Sequence, residues 1–307
     1  MAISKSSLVR KQMLRAISSN KSLLSFHIHP LRNRHRGEVL KLLLSDIPTN
    51  LFLIDILFDR GIHTNSHEEW VGAFQGETLV ALVVSFGRTS TQPSRLLVTY
   101  GDVEACRVLG RHQNLLGTPE MIVGERQTSD ALAEAFAPSS IRIRYDQHLY
   151  MCTSVRDVPQ IPIRFAKEKD EETILNYSAQ MIAEDLQENP MERHPERFTA
   201  SVRSKILRNK CLVGEQEGEI CYIIDIGTQF RLGCQLGGTY VPPKFRGQGI
   251  STKATAAVCH LMLSLCDCVT LHVHEKNIPA IRCYEGVGFH PVTPFRLLSF
   301  QGAHHAQ

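Results

Sequence analysis

Long apolar runs are absent from this chain of 307 residues. No stretch of about 18 consecutive apolar residues occurs, so we expect no segment that spans a membrane. Aromatic residues make up only 7% of the chain, and 34 Lys or Arg nearly balance 31 Asp or Glu. A nucleic-acid-binding domain is expected to carry a basic face with interleaved aromatic residues, and no such pattern occurs. The composition therefore predicts a cytoplasmic globular protein without a membrane or nucleic-acid partner.

The nine cysteines lack the spacing of a metal site. No C-x-x-C pair occurs among them, whereas structural zinc sites are commonly built on that pair. An odd number of cysteines in mostly apolar segments is typical of buried, reduced thiols in a reducing compartment. We therefore expect no metal cofactor.

Carboxylates are missing from the first 37 residues, which hold eight Lys or Arg. A basic, serine-rich start without acidic residues is typical of an organellar transit peptide. The alternative is a solvated basic helix over residues 8–17 that precedes the first domain. We favour the helix, because a bacterial leader would need an apolar core that this segment does not have.

The length of the chain indicates two domains, since one domain typically holds about 100 to 200 residues. Pro159 and Pro162 lie between the halves, where they interrupt regular structure. We predict a basic extension over residues 1–20, a first domain over 21–152, a linker over 153–162 and a second domain over 163–307. Hydrophobic spacing predicts the order β-α-α-β-β-β-α-β-α-β-β for the second domain, with closing strands at 289–292 and 295–300. The last element predicted in the first domain is a helix over residues 129–136.

The most informative segment is a strand-to-helix turn with two glycines, at residues 241–251. The first amides of a helix have no partner within the helix, and the helix dipole places about +0.5 charge there. Gly247 and Gly249 would let a phosphate approach the backbone without interference from a Cβ atom. The spacing does not fit the G-x-x-x-x-G-K-[ST] or G-x-G-x-x-G nucleotide loops.

Two motifs in this half of the chain resemble those of one family. Arg246-Gly-Gln-Gly249-Ile-Ser251 is similar to the acyl-CoA-binding motif [QR]-x-x-G-x-[GA] of the GNAT superfamily of N-acyltransferases, with Ser251 in place of Gly or Ala. A second block matches the family's N-x-x-A-x-x-x-Y-x-x-x-G-F signature at Asn277, Ala280, Tyr284, Gly288 and Phe289. Both motifs occur in the family's order, which makes chance agreement improbable.

The resemblance implies an α/β (α+β) fold. We expect tandem GNAT-like folds, each a mixed, mostly antiparallel sheet flanked by helices, with the acyl-CoA site in the second. The first half repeats the element order without a glycine-paired loop. Asp102 and Glu104 stand there where an anion would have to bind, and their charge repels phosphate. We therefore expect a diverged first copy without a cofactor, as in bacterial two-domain acetyltransferases.

The resemblance also implies acetyl-CoA as cosubstrate and a set of residues that contact it. The amides of residues 246–251 would bind the pyrophosphate, and the strand before them would pair with the pantetheine arm. The amide of Tyr240 or Val241 would serve as an oxyanion donor. The cofactor-binding residues expected on this basis are Tyr240, Val241, Arg246, Gly247, Gln248, Gly249, Ile250, Ser251, Thr252, Asn277 and Ala280.

Tyr284 is the catalytic candidate that the resemblance implies, as the acid that protonates the departing thiolate. A phenol is protonated at neutral pH and suits that role; the alternative is a ring that only packs. The base is open, because Gln235 stands where many relatives have glutamate. Asp225, His272 and His274 are candidates, and so is a water-relayed proton. The two histidines share a strand face, where hydrogen-bonded side chains are favoured over metal ligands.

The acceptor is an amine whose identity the sequence leaves open. Glu184, Asp185 and Glu188 lie where the superfamily forms its acceptor pocket, and an acidic patch would hold a protonated amine. A solvated acidic helix end is the alternative interpretation. Small amines, antibiotics, amino acids and protein N-termini all remain candidates, for a monomer or a homodimer.

Three functions are thus compatible with the sequence. The first is N-acetyl transfer by direct attack of an amine in a ternary complex with acetyl-CoA. The second is a non-catalytic acyl-CoA sensor or adaptor, which Gln235 and the first half mildly favour. The third is a tandem aminoacyl-tRNA-dependent transferase, which the glycine-paired loop and the lack of a basic surface argue against.

Overall fold

The computed structural model describes residues 25–63, 68–87, 94–186, 189–193 and 195–301. The basic helix predicted over residues 8–17 lies outside them. The strands are β1 (His27–Pro30), β2 (Glu68–Gln75), β3 (Thr78–Phe86), β4 (Ser94–Gly101), β5 (Thr118–Glu125), β6 (Ile141–Cys152), β7 (Ile163–Phe165), β8 (Cys211–Gln216), β9 (Glu219–Phe230), β10 (Gly233–Tyr240), β11 (Val269–His274) and β12 (His290–Phe300). The helices are α1 (Arg36–Leu43), α2 (Ile47–Arg60), α3 (Val103–Gly110), α4 (Gln113–Leu116), α5 (Arg126–Ala133), α6 (Glu171–Leu186), α7 (Pro190–Arg193), α8 (Pro195–Leu207), α9 (Ile250–Leu263) and α10 (Ile278–Val287).

All twelve strands of the described residues join one sheet, in the order β1-β2-β3-β4-β5-β12-β6-β11-β10-β9-β8-β7. The pairs β4–β5 and β10–β11 are parallel, and the other neighbours are antiparallel. The predicted fold class, a mixed and mostly antiparallel sheet flanked by helices, is confirmed. In the part of the chain that the structure describes, no helix is long and apolar enough to cross a membrane.

The last strand of each half crosses into the sheet of the other half. β6 pairs with β11, with Thr270 opposite Met151, and β12 pairs with β5, with Leu297 opposite Val123. β6 and β12 also pair with each other at the centre of the sheet. Each repeat is thus completed by a strand from the opposite half, so the halves at 21–152 and 163–307 share one continuous sheet.

β12 corrects one sequence expectation. The segment runs as one strand from His290 to Phe300, with an irregularity in its pairing between Pro291 and Thr293. Pro291 and Pro294 suggest a break between two strands, because proline cannot donate a ladder hydrogen bond. The shift in pairing at this point acts as a β-bulge, which lets a single strand continue past the prolines.

Helices cover both faces of the sheet, as the alternation of buried side chains shows. In β8, Leu212 packs with α9 and α10, whereas Val213 packs with α6 and α8 on the opposite face. In β3, Val83 packs with α3 and α5, whereas Leu82 packs with α1 and α2. Successive side chains of a strand point to opposite faces. Both repeats therefore have the same helix–sheet–helix layering.

Contacts beyond the sheet also tie the halves together. Arg296 of β12 has a side chain only 9% exposed. Its Nη1 donates to Asp130 Oδ1 of α5 (2.6 Å), and its Nε donates to Asp146 Oδ1 of β6 (2.7 Å). Burial alone would raise the pKa of Asp146, but the hydrogen bond and charge of Arg296 outweigh it and hold that pKa below its usual value. From α2, Asp55 Oδ2 accepts a hydrogen bond from Thr228 of β9 (2.7 Å).

Candidate functional site

The two central parallel strands of the second half separate in the middle of the sheet. β10 and β11 pair only from Cys234 opposite Val269 to Leu236 opposite Leu271. Both strands continue past that point, and β10 shifts its register with β9 between Gly237 and Tyr240. A cavity of about 900 Å³ opens where they separate. The edges of the two strands are thus free of each other at the place where an extended ligand would lie.

A loop with two glycines closes one end of this cavity. Gly247 and Gly249 have φ angles of +77° and +72°, which favour glycine over residues with a Cβ atom. An added Cβ on Gly247 would meet no atom within 4 Å, so the space in front of the loop is open. Gly249 is the N-cap of α9, and the first amides of that helix have no acceptor within it. The loop therefore suits an anionic group such as a pyrophosphate.

Most of the predicted cofactor residues line this one cavity. Those that do are Tyr240, Val241, Arg246, Gly247, Gly249, Ile250, Ser251, Thr252, Asn277 and Ala280. Gln248 belongs to the same loop but does not line the cavity; its Nε2 donates to the Lys244 carbonyl (3.2 Å). The open loop, the separated strands and the cavity volume fit the coenzyme A group that the sequence implies.

Arg246 is held by an acidic residue that the sequence assigns to the acceptor. Its Nη2 donates to both carboxylate oxygens of Glu184 on α6, at 3.0 and 2.9 Å. The Tyr240 hydroxyl also donates to Glu184 Oε1 (3.0 Å). Both members of the ion pair are nearly half exposed. Glu184 thus neutralises the cation of the glycine loop and links α6 to it.

Asn277 has a local structural task. Its Oδ1 accepts a hydrogen bond from the Ala280 amide (3.2 Å), which makes it the N-cap of α10. Asn is among the best N-cap residues, and Pro279 in the first turn fits the same helix start. Helix capping therefore explains the Asn of the sequence motif, while the Asn277 side chain still borders the cavity.

Tyr284 reaches from α10 toward β10 at the cavity. Its side chain is 7% exposed. Burial raises its pKa to about 12, partly offset by a hydrogen bond to Thr239 of β10. The phenol is thus fully protonated at neutral pH and bonded to the strand that borders the gap.

The candidate bases Asp225, His272 and His274 all line the cavity, and each is engaged by a neighbour, His274 through a hydrogen bond that its Nδ1 accepts from the Lys276 amide (3.0 Å). Lys205 of α8 forms an ion pair with Asp225 (Nζ to Oδ2, 2.5 Å). His272 Nδ1 lies 3.1 Å from Gln235 Nε2, and burial lowers the pKa of His272 to about 4. With that pKa the ring is neutral at neutral pH, and its Nδ1 is occupied by the contact with the Gln235 amide, so His272 is a weak base in this arrangement.

The acceptor candidates are only partly brought together. Glu184 and Asp185 both line the cavity, whereas Glu188 lies outside the described residues. Partial burial and the Glu184 carboxylate raise the pKa of Asp185, and His274 opposes this rise. The lining residues that the sequence does not identify include Tyr145, Gln147, Met181 and Lys205. Tyr145 and Gln147 belong to β6, so their position depends on a strand exchange that no local pattern reveals.

The equivalent place in the first half is closed. β4 and β5 stay paired as far as Thr99 opposite Gly124, over six residue pairs, whereas β10 and β11 share only three. Asp102 Oδ1 accepts a hydrogen bond from the Ala105 amide (2.9 Å) at the start of α3. The amide that an anion would need is thus satisfied by the protein's own carboxylate.

Comparison with known proteins agrees with this geometry. Residues 179–289 match the model of the Acetyltransferase (GNAT) family. No curated protein matched the sequence. Similar solved structures include an acetyltransferase of the GNAT family from Colwellia psychrerythraea (14% identity, TM-score 0.53, covering 89% of this chain and 99% of that one). Another is a GCN5-related N-acetyltransferase from Sphaerobacter thermophilus (17% identity, TM-score 0.55, covering 89% of this chain and 94% of that one).

A third solved structure has two repeats in one chain. It is a tandem GNAT protein from the clavulanic acid biosynthesis pathway (12% identity, TM-score 0.51, covering 91% of this chain and 99% of that one). At such identities the likeness concerns the fold alone. Residues 179–289 are thus similar to the Acetyltransferase (GNAT) family, within a fold that resembles GNAT structures along most of the chain.

Proposed function

We propose that the chain is an acetyl-CoA-dependent N-acyltransferase that moves an acetyl group to an amine in a ternary complex. The observation that carries this proposal is the meeting of three features at one cavity. These are the gap between β10 and β11, the loop at Gly247 and Gly249, and the protonated Tyr284.

Each feature has a task in the reaction. The loop amides and the start of α9 bind the pyrophosphate, and the free edge of β10 aligns the pantetheine arm. The amide of Tyr240 or Val241 is the oxyanion donor. Acetyl-CoA supplies the acetyl group as a thioester, so transfer to the amine forms a C–N bond and breaks a C–S bond. The hydroxyl of Tyr284 is the proton source for the leaving sulfur.

The proton that leaves the amine needs a separate acceptor. Asp225 is engaged by Lys205, and the neutral ring of His272 has no hydrogen-bond partner at Nε2 among the described residues. His274 Nδ1 already accepts a hydrogen bond from the Lys276 amide (3.0 Å). We therefore propose release through water rather than a dedicated base.

The test is thiol release from acetyl-CoA in the presence of a broad amine panel, with mass spectrometry of the amine product. The proposal expects amine-dependent thiol release and an acetylated amine. Tight acetyl-CoA binding without amine-dependent release would contradict it and favour an acyl-CoA sensor. Gln235, in hydrogen-bond contact with His272 in place of a carboxylate, is the observation behind that second candidate.

A further inference from the structure

The wall of the cavity away from the glycine loop is built by both halves of the chain. Tyr145 and Gln147 come from β6, and His274 comes from β11, where it pairs opposite Gln147. Asp185 and Met181 of α6 line the same cavity. A ligand that reaches the gap between β10 and β11 from this side must pass these side chains. The wall is incomplete without the strand contributed by the first half.

The charged side chains that line the cavity differ in whether they have an ion-pair partner. Its two lining cations are each in an ion pair, Arg246 with Glu184 and Lys205 with Asp225. The Asp185 carboxylate, by contrast, has no ion pair with a described residue and remains open to solvent. An anionic group on the ligand would therefore compete with existing ion pairs for a cation. A cationic group would meet a carboxylate that has no such partner.

Two aromatic rings line the same cavity as this carboxylate. The rings of Tyr145 and His274 meet edge to face, with centroids 4.3 Å apart and an angle of 65°. Burial and then the Asp185 charge raise the pKa of Tyr145, so its phenol stays neutral, and Asp185 also interacts electrostatically with His274. A carboxylate next to aromatic faces is a combination that binds organic ammonium ions.

We propose, building on the acyltransferase function above, that the acceptor is an organic amine with no carboxylate or phosphate beside its reactive nitrogen. Asp185 holds its ammonium group in the initial complex, and Tyr145 from the first half supplies an aromatic face to it. Amino acids and phosphorylated amines are disfavoured, since their anionic group would lie near Asp185 and find both lining cations paired.

The first experiment compares amines with the amino acids from which they differ by one carboxylate. The pairs are tyramine and tyrosine, tryptamine and tryptophan, and agmatine and arginine, whose only primary amine lies beside the carboxylate in the amino acid; they are assayed by thiol release from acetyl-CoA. We expect kcat/KM for the amine to exceed that for its amino acid by about tenfold or more, the usual effect of a single charged hydrogen bond on binding. Equal or better turnover of the amino acids would overturn the inference.

The second experiment uses variants of the full chain with the amine that is turned over best. Asp185→Asn is expected to raise KM about tenfold or more with a smaller change in kcat. Tyr145→Ala should also raise KM, whereas Tyr145→Phe, which keeps the ring, should stay near wild type. Glu172→Gln, an exposed change on the same helix, is the matched control and should have no effect. Unchanged KM in Asp185→Asn would overturn the inference.

Acetyl-CoA affinity, measured by calorimetry for each variant, separates this inference from the proposed function. All variants are expected to bind acetyl-CoA within about twofold of wild type, because none of the changed side chains belongs to the glycine loop. If acetyl-CoA binds and no amine is acetylated, the proposed function fails and this inference fails with it. If amines and amino acids are acetylated without preference, only this inference fails.

Discussion

Replacing Arg296 with Met should destabilise the fold, because Arg296 neutralises two carboxylates at the junction of the halves. The side chain is 9% exposed and bonds to Asp130 of α5 and Asp146 of β6. Breaking a fully buried ion pair typically costs about 3–5 kcal/mol. Asp130 and Asp146 keep 39% and 26% exposure, so water recovers part of that loss. We therefore expect a loss of about 2–3 kcal/mol, close to that of a charged hydrogen bond left without its partner.

Thermal and denaturant unfolding measure this loss. Each kcal/mol lowers Tm by roughly 2–4 °C in a protein of this size class, so a fall of roughly 4–12 °C is expected. The matched control is Arg203→Met, which removes an exposed ion pair with Glu171 and should leave the stability close to that of wild type, since exposed ion pairs contribute little. The double variant Arg296→Met/Asp130→Asn should recover part of the stability. Equal stability of Arg296→Met and Arg203→Met would refute this account of the junction.

Three further predictions concern the site and the stability of the fold at low pH. Tyr284→Phe should lower kcat by roughly a hundredfold or more with little change in acetyl-CoA affinity, and wild-type turnover would reduce Tyr284 to a packing role. Glu184→Gln should tighten acetyl-CoA binding by up to about fivefold at low salt, because it frees Arg246 from an exposed ion pair that is worth at most about 1 kcal/mol. Calorimetry at two salt concentrations shows whether binding becomes tighter or weaker. Because the folded pKa of Asp146 is depressed, its stabilising contribution is present above the unfolded value of about 3.9 and is lost as the pH falls through the folded value. Acid unfolding of wild type and Asp146→Asn should therefore differ in slope below about pH 4, and identical profiles would contradict this.

The sequence predicts those features of the site that depend only on residues close together in the chain. Gly247 and Gly249 occupy positive φ angles and a helix follows them, as the glycine pattern indicates, although it begins at Ile250 rather than at Thr252. Asn277 and Pro279 start α10 as a cap and a first-turn proline. These features depend on a few neighbouring residues, so propensity and capping rules suffice to find them.

The exchange of β6 and β12 between the two halves could not be predicted in the same way. β6 was not predicted at all, although Ile141, Ile143 and Tyr145 alternate with arginine or aspartate in the pattern of a half-buried strand. Its partner β11 lies more than a hundred residues away, and no local rule sets such a pairing. The linker at residues 153–162 stays a prediction of where one half of the sequence ends and the next begins. Both halves contribute strands to the same sheet.

Side-chain pairings across the cavity were also beyond sequence reasoning. Glu184 was assigned to the acceptor from its place on a helix, but its carboxylate is bound by Arg246 and Tyr240. Tyr145 reaches the cavity only because β6 crosses to β11. Both outcomes depend on which elements meet in three dimensions, and spacing along the chain carries no such information.

Calorimetric titration with acetyl-CoA tests the central claim most directly, that the glycine loop of the second half is the single coenzyme site. The wild-type chain should bind one acetyl-CoA, and at a hundredfold excess over Kd the ligand should stabilise it by about 2.7 kcal/mol. Gly249→Asp should abolish both, because it places a carboxylate and a Cβ atom at φ +72° in the loop. Gly218→Asp, at φ +81° in the open turn between β8 and β9, imposes a similar backbone strain away from the loop and should bind normally. Two sites per chain, or undiminished binding by Gly249→Asp, would contradict the account.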